Sequence, residues 1–235
     1  MVGTVGVAPG TSTLVLADGT TIELSDWIDD RYYGTIQLNN GQSTPVEAFS
    51  AGRSQQIPGG VRTMTRVDTN VPRPGSNGLP QAFAMLVYTL SVKATRACRP
   101  PTGQTQPVLA DGAGALSNPV RLQTLFSIDR VMFLQYEYRE KIYSQGVMQN
   151  YPQGHGFYAF ATTSDFEVAQ NGVPSPRDRW SMVLPIHEQE NLGYKMSFFP
   201  EAALAISQLA SDGGAALTFV DLKVEKNGLI KRPVV

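Results

Sequence analysis

The sequence predicts a mainly β protein, a β-sandwich of the jelly-roll kind. Three observations carry this. Short runs rich in β-branched and aromatic residues recur along the chain, separated by Gly, Pro and Asn turns. Several of these runs alternate apolar and polar residues with period two. Helical patterning is confined to one late segment. At 235 residues, the chain can form one large β domain or two small ones.

"STLVLADGTTIEL" (12–24) is two apolar runs around Asp18-Gly19, a hairpin signal. "DRYYGTIQL" (30–38) is a strand that stops at the turn Asn39-Asn40-Gly41. "PVEAFSAG" (45–52) fits a helical turn or an edge segment. "AFAMLVYTLSVKA" (82–94) is the longest strand candidate. Both of its faces begin apolar and one turns polar by Thr89, which predicts burial on both sides at one end only.

Residues 99–119, with Pro100, Pro101, Pro107, Gly103, Gly112 and Gly114, read as a linker. In 120–143, Ser117-Asn118-Pro119 could start a helix, but the aromatic, alternating "VMFLQYEY" favours strands. "GFYAFATT" (156–163), "DFEVAQNG" (165–172), "WSMVLPI" (180–186) and "LGYKMSFF" (192–199) read as strands. "PEAALAISQLASDGG" (200–214) predicts the one helix, near 200–212, opened by Pro200 and Glu201 and ended by Gly213-Gly214. In the closing segment, Thr218, Val220, Leu222 and Val224 form the face expected to be buried, and Asn227-Gly228 reads as a hairpin turn into a short last strand.

The domain reading is a first β-sandwich over 1–98, the linker 99–119 and a second β-sandwich over 120–235. The alternative is one sandwich domain over 1–235 with long loops. "LADG" recurs at 16–19 and 109–112, so a duplication is possible on this pattern.

Composition narrows the function. Charged residues make up 17%, below the usual quarter, as suits a surface covered by partners. With a net charge of −1 and no basic arm, strong direct nucleic-acid binding is not expected. Thirteen Arg against six Lys fit fixed planar contacts. Cys98 is the only cysteine, which excludes an intramolecular disulfide and a cysteine-based zinc site. The start shows no signal-peptide pattern, so folding in a cytoplasm is expected.

No residue qualifies as catalytic, cofactor-binding or metal-binding. His155 in "QGHGF" and His187 in "PIHEQEN" read as polar loop residues, and no G-x-S-x-G elbow is present. A metal site of His187 with Glu188 and Glu190 fails on strand geometry, since the two acids share one face and the histidine takes the other. Asp29-Asp30 and Glu137/Glu140 could imitate a glycosidase pair, yet surface carboxylates are the commoner reading. Phosphate-binding glycine motifs are absent. Trp27, Tyr32, Tyr33, Tyr136, Tyr138, Trp180, Phe198 and Phe199 sit mostly in strand patterns and read as core rather than stacking platforms. No cofactor is implied.

Three stretches carry a resemblance: the loop "IPGGVRTMTRVDTNVPRPGSNGLP" leading into "AFAMLVYTLSVKA", the segment "PEAALAISQLAS" followed by a strand, and the closing "VDLKVEKNGLIKRPVV". With them, a chain made almost wholly of short strands resembles the jelly-roll major capsid proteins of tailless icosahedral viruses and bacteriophages. The likeness is one of architecture, and none of the three is a signature motif. That family often stacks two jelly rolls per chain, so the resemblance implies the double type. It implies a non-enzymatic structural protein of the virion, made in the host cytoplasm. Its expected partners are copies of itself, as a trimer within a larger shell, other virion proteins and an internal membrane. Residues 57–80 and the termini would make the contacts between subunits. The competing readings are a phage tail or spike module or another carbohydrate-binding sandwich, and a cupin-like enzyme, which two isolated histidines disfavour.

Overall fold

The structure is a computed structural model. It describes residues 13–16, 19–71, 79, 82–98, 128, 130–151, 156–161, 166–171, 180–190, 192–204, 206 and 219–232; for 93–98, 156–161 and 166–171 only the backbone is described. The strands are β1 (Thr13–Val15), β2 (Thr21–Glu23), β3 (Trp27–Asn39), β4 (Val46–Ala48), β5 (Ala84–Cys98), β6 (Met132–Tyr138), β7 (Lys141–Val147), β8 (Gly156–Ala161), β9 (Phe166–Asn171), β10 (Trp180–Glu188), β11 (Tyr194–Pro200) and β12 (Phe219–Lys231). The protein is thus mainly β, as the period-two runs predict.

Two antiparallel four-stranded sheets form a sandwich, with orders β10-β5-β12-β3 and β4-β11-β6-β7. Their facing sides meet in one core. Ile36, Leu38, Met85, Val220, Leu222 and Val224 come from the first sheet, and Leu134, Tyr136, Met196 and Phe198 from the second. β6 shows the alternation most cleanly, with Met132, Leu134, Tyr136 and Tyr138 turned inward. The pairs are nested along the chain: β3 with β12, β4 with β11, β5 with β10 and β6 with β7. Strands from either side of residues 99–119 therefore share both sheets, and these are the only four-stranded sheets among the described residues. The linker itself lies outside those residues. The hairpin β1–β2 packs on the outer face of the first sheet, where Leu14 and Ile22 meet Leu86.

β5 changes phase midway. Its register with β12 slips between Asn227 and Gly228, so that Asn227 faces Thr89 while Gly228 faces Val87. The residue skipped is Tyr88, a β-bulge. Met85 and Val87 point into the core before it, Leu90 and Val92 after it. Both faces of β5 are covered near the bulge because Leu86 lies under the β1–β2 hairpin.

Asn227-Gly228 is therefore not the expected hairpin turn, because both residues lie inside β12, paired with Arg31 and Asp30 of β3. The glycine is needed for close backbone approach instead. A Cβ there would lie 1.8 Å from the Leu86 carbonyl oxygen. Gly228→Ala is expected to lower stability by about 1–3 kcal/mol, since a backbone atom must give way. An unchanged urea unfolding midpoint would contradict this.

The helix expected near 200–212 is not seen. Pro200 ends β11, the Glu201 N–H donates to Val131 O, and Leu204 exchanges hydrogen bonds with Gly41 and Gln42. The backbone groups of a first helical turn are thus committed to other segments. Leu204 and Ile206 are also buried in the sandwich core. Tertiary burial overrides local propensity here. Residues 207–218 lie outside the described residues.

Candidate functional site

The conspicuous loop of the sequence is described over residues 57–71 and at 79, and its order comes from buried polar groups. Arg62 forms a two-pronged pair with Asp68, at 2.8 and 2.7 Å, and also donates to Asp221 Oδ2 of β12, its Nη2 at 2.8 Å and its Nε at 3.2 Å. Asp68 Oδ2 further accepts from the Thr65 N–H and hydroxyl. This cluster fastens the loop along the outer edge of β3. The Gln37 N–H donates to Pro58 O, the Thr35 hydroxyl to Asp68 O, and the Asn70 N–H to Tyr33 O, while Asn70 Oδ1 accepts from the Tyr33 N–H. The edge of β3 is thereby blunted. Pro72, Pro74 and Pro80 of the same loop lie outside the described residues.

The fastened loop presents apolar side chains outward: Val61 is 74% exposed and Val67 77%. The opposite edge of the same sheet does likewise. β10 loses its pairing with β5 between Ser181 and Ile186, and the intervening bulge carries Val183, 90% exposed, next to Leu184.

Burial alone would favour a protonated Asp68 carboxyl, but the hydrogen bonds from Arg62 and Thr65 and the Arg62 charge outweigh it, and its pKa lies below the ordinary value of 3.8. A carboxylate with a lowered folded pKa contributes stability that is complete above its unfolded value and is lost as pH falls through the folded one. Urea unfolding midpoints should therefore drop once pH goes below about 4. The Asp68→Asn variant, less stable at neutral pH, should show a shallower drop. Identical acid profiles for the two chains would refute this.

The residues weighed from sequence take the following places. His155 lies outside the described residues. His187 packs at a tilt against Trp27, with ring centroids 6.1 Å apart. Glu188 is buried, whereas Glu190 is exposed and accepts from the Ala82 N–H. No group of three or more metal-ligating side chains occurs among the described residues. Asp30 pairs with Arg232, and Glu140 sits in the exposed turn after β6. Cys98 pairs with Phe219 in the β5–β12 ladder. Of the aromatics, Tyr32, Tyr136, Tyr138 and Phe198 are core, and Trp180 is 39% exposed.

Two sites escape a local reading of the sequence. The first is a surface cavity of about 660 Å³ lined by Asp29, Asp30, Arg31, Tyr88, Thr89, Asn227, Gly228 and Leu229. The Asn227 amide and the Thr89 hydroxyl in its wall are buried and find no hydrogen-bond partner among the described residues.

The second lies between the sheets. Lys226 and Glu188 have no exposed side-chain surface, and Lys226 Nζ lies 2.7 Å from Glu188 Oε2 and 2.9 Å from Oε1. The Tyr136 hydroxyl donates to the same Oε1. Nζ stands 3.4 Å from the ring centroid of Tyr194, 5.0 Å from that of Phe49 and 5.1 Å from that of Tyr32. Burial pulls the Lys226 pKa below its ordinary value, against the opposing pull of Glu188. Burial likewise pushes Tyr136 well above the ordinary tyrosine value, with the Glu188 charge adding to it, and Tyr32 up to about 12. Lys226 continues the inward series Val220, Leu222, Val224, so the periodicity contains the signal. The residue type hides it, because lysine is seldom fully buried.

No family model, curated protein or solved structure matches the chain.

Proposed function

We propose that the chain is a structural capsid protein, a single jelly roll that assembles with copies of itself through its sheet edges and loops. The observation that carries the reading is the nested pairing. With the β1–β2 and β8–β9 hairpins taken as excursions, eight strands remain, and the first pairs with the last, the second with the seventh, the third with the sixth and the fourth with the fifth. A long hairpin rolled into two sheets pairs in this way, which supports a jelly roll. On this reading the chain is one sandwich over 1–235, not separate units over 1–98 and 120–235. The fastened 57–71 loop and the β10 bulge set apolar contacts at opposite edges of one sheet, as a subunit with neighbours on both sides requires. The reading keeps as its expected partners a trimer within a larger shell, other virion proteins and an internal membrane.

The loop is tested by charge and not by deletion. Removing residues 70–79 would also remove Val71 and Leu79, which are buried. Val61→Asp with Val67→Asp alters exposed positions only. The double variant is expected to fold with an unchanged unfolding midpoint. It should need at least about tenfold more protein to form particles in size-exclusion chromatography and negative-stain microscopy, because charge at a desolvated contact costs over 1 kcal/mol. A wild-type chain that stays monomeric at high concentration would sink the capsid reading.

The cavity at Asn227 favours a second reading, a carbohydrate-binding sandwich of tail or spike type. Its unpaired amide and hydroxyl, two aspartates and Tyr88 suit a polyhydroxylated ligand. Glycan-array binding lost in Asn227→Ala, by a monomeric chain, would favour it.

A further inference from the structure

We propose that Lys226 and Glu188 condense into an isopeptide bond that fastens β12 to β10 inside the sandwich. The argument rests on placement. An amine nitrogen lies within 2.9 Å of both oxygens of one carboxyl group, and neither side chain touches solvent. The rings of Tyr194, Phe49 and Tyr32 confine the nitrogen, so it cannot swing away into water. Holding the two groups together removes much of the entropic cost of bringing them into reach.

The chemistry needs an uncharged amine, an activated carbonyl and no competing water. A dry interior disfavours separated charges, and passing the Lys226 proton to Glu188 Oε2 leaves a neutral amine facing a carboxylic acid. The lowered Lys226 pKa agrees with this. A lysine desolvated among apolar groups is a nucleophile of known type. The Tyr136 hydroxyl donates to Oε1, where negative charge develops as the nitrogen attacks. Its raised pKa keeps that proton in place. The Nζ–Cδ bond forms and the Cδ–Oε2 bond breaks. Oε2 leaves as water, carrying its own proton and one from the amine. Nothing is oxidised or reduced, and no co-reactant is required. The amide removes two charges that are costly to bury. It also ties β10, an edge strand with a broken register, to β12, which is paired on both sides.

Intact-mass spectrometry on the purified full-length chain, denatured just before measurement, tests this. The expected mass is that of the sequence less one water, and a protease digest should contain a branched peptide joining Lys226 to Glu188. Glu188→Gln should reach the same cross-linked mass by losing ammonia, and Lys226→Arg should keep its full sequence mass. Tyr136→Phe should slow the reaction by about 10²-fold, seen as a mixture of masses soon after synthesis. A wild-type chain with a native unfolding transition and the full sequence mass after prolonged incubation overturns the proposal. So does a missing water that survives in Lys226→Arg. The readout is a mass, so it stands or falls independently of whether the chain assembles.

Discussion

Lys226→Met is expected to destabilise the fold by about 3–5 kcal/mol, among the largest effects of any single substitution here. Methionine nearly matches lysine in length, so the aromatic walls formed by Tyr194, Phe49 and Tyr32 keep their packing. What is lost is the partner of Glu188, which has no exposed surface and would keep, among the described residues, the Tyr136 hydroxyl as its side-chain donor. An uncompensated buried carboxylate costs far more than the pair contributes. The reverse change, Glu188→Leu, leaves a lysine over three ring faces and should cost less, because cation–π attraction persists. The double variant Lys226→Met with Glu188→Leu leaves no charge buried and should regain whatever part of the loss exceeds that of the missing cross-link. Urea unfolding midpoints of the four chains form a double-mutant cycle. A cycle in which the two single effects simply add would show that Lys226 and Glu188 do not interact.

That lysine also shows where local sequence reading ends. The alternation through Val220, Leu222 and Val224 marks the buried face of β12, and these residues are fully buried. The same alternation places Lys226 inside, but its partner lies 38 residues away on a strand separated from β12 by β5. Strand existence was legible because period-two patterning is local. Pairing was not, because the nested ladder joins residues far apart in the chain. Gly228 read as a turn for the same reason: the backbone atom that forces a glycine there belongs to Leu86. Residues 200–206 had helical propensity, but their backbone groups and their leucine and isoleucine are claimed by the 41–42 turn, Val131 and the core. The sequence marks 57–80 as a contact loop, but the residue that orders its described part, Arg62, is recognised only once Asp68 and Asp221 are seen beside it.

Arg62→Leu is the corresponding test on the surface side of the fold, expected to cost about 3–5 kcal/mol. Arg62 is 7% exposed and serves two carboxylates, of which Asp221 lies 159 residues away. Burial opposes its charge, but the hydrogen bonds and charges of Asp68 and Asp221 more than compensate and raise its pKa above the ordinary value. Leucine would leave two buried acids facing each other without the cation. Asp68 keeps its Thr65 donors, so the loop should loosen before the sandwich unfolds. Loosening exposes the β3 backbone at Tyr33 and Gln37 and frees the Thr35 hydroxyl, all of which the loop now engages. An uncovered edge in a long strand is a template for pairing with another chain. Arg62→Leu should therefore show two linked changes: fast amide exchange at Tyr33 and Gln37, and disordered aggregation in place of defined oligomers. Arg62→Lys restores the charge but not the planar fork, so it should recover only part of the stability. Slow amide exchange at Tyr33 and Gln37 in a folded Arg62→Leu chain would mean that something other than the Arg62 cluster holds the loop against β3.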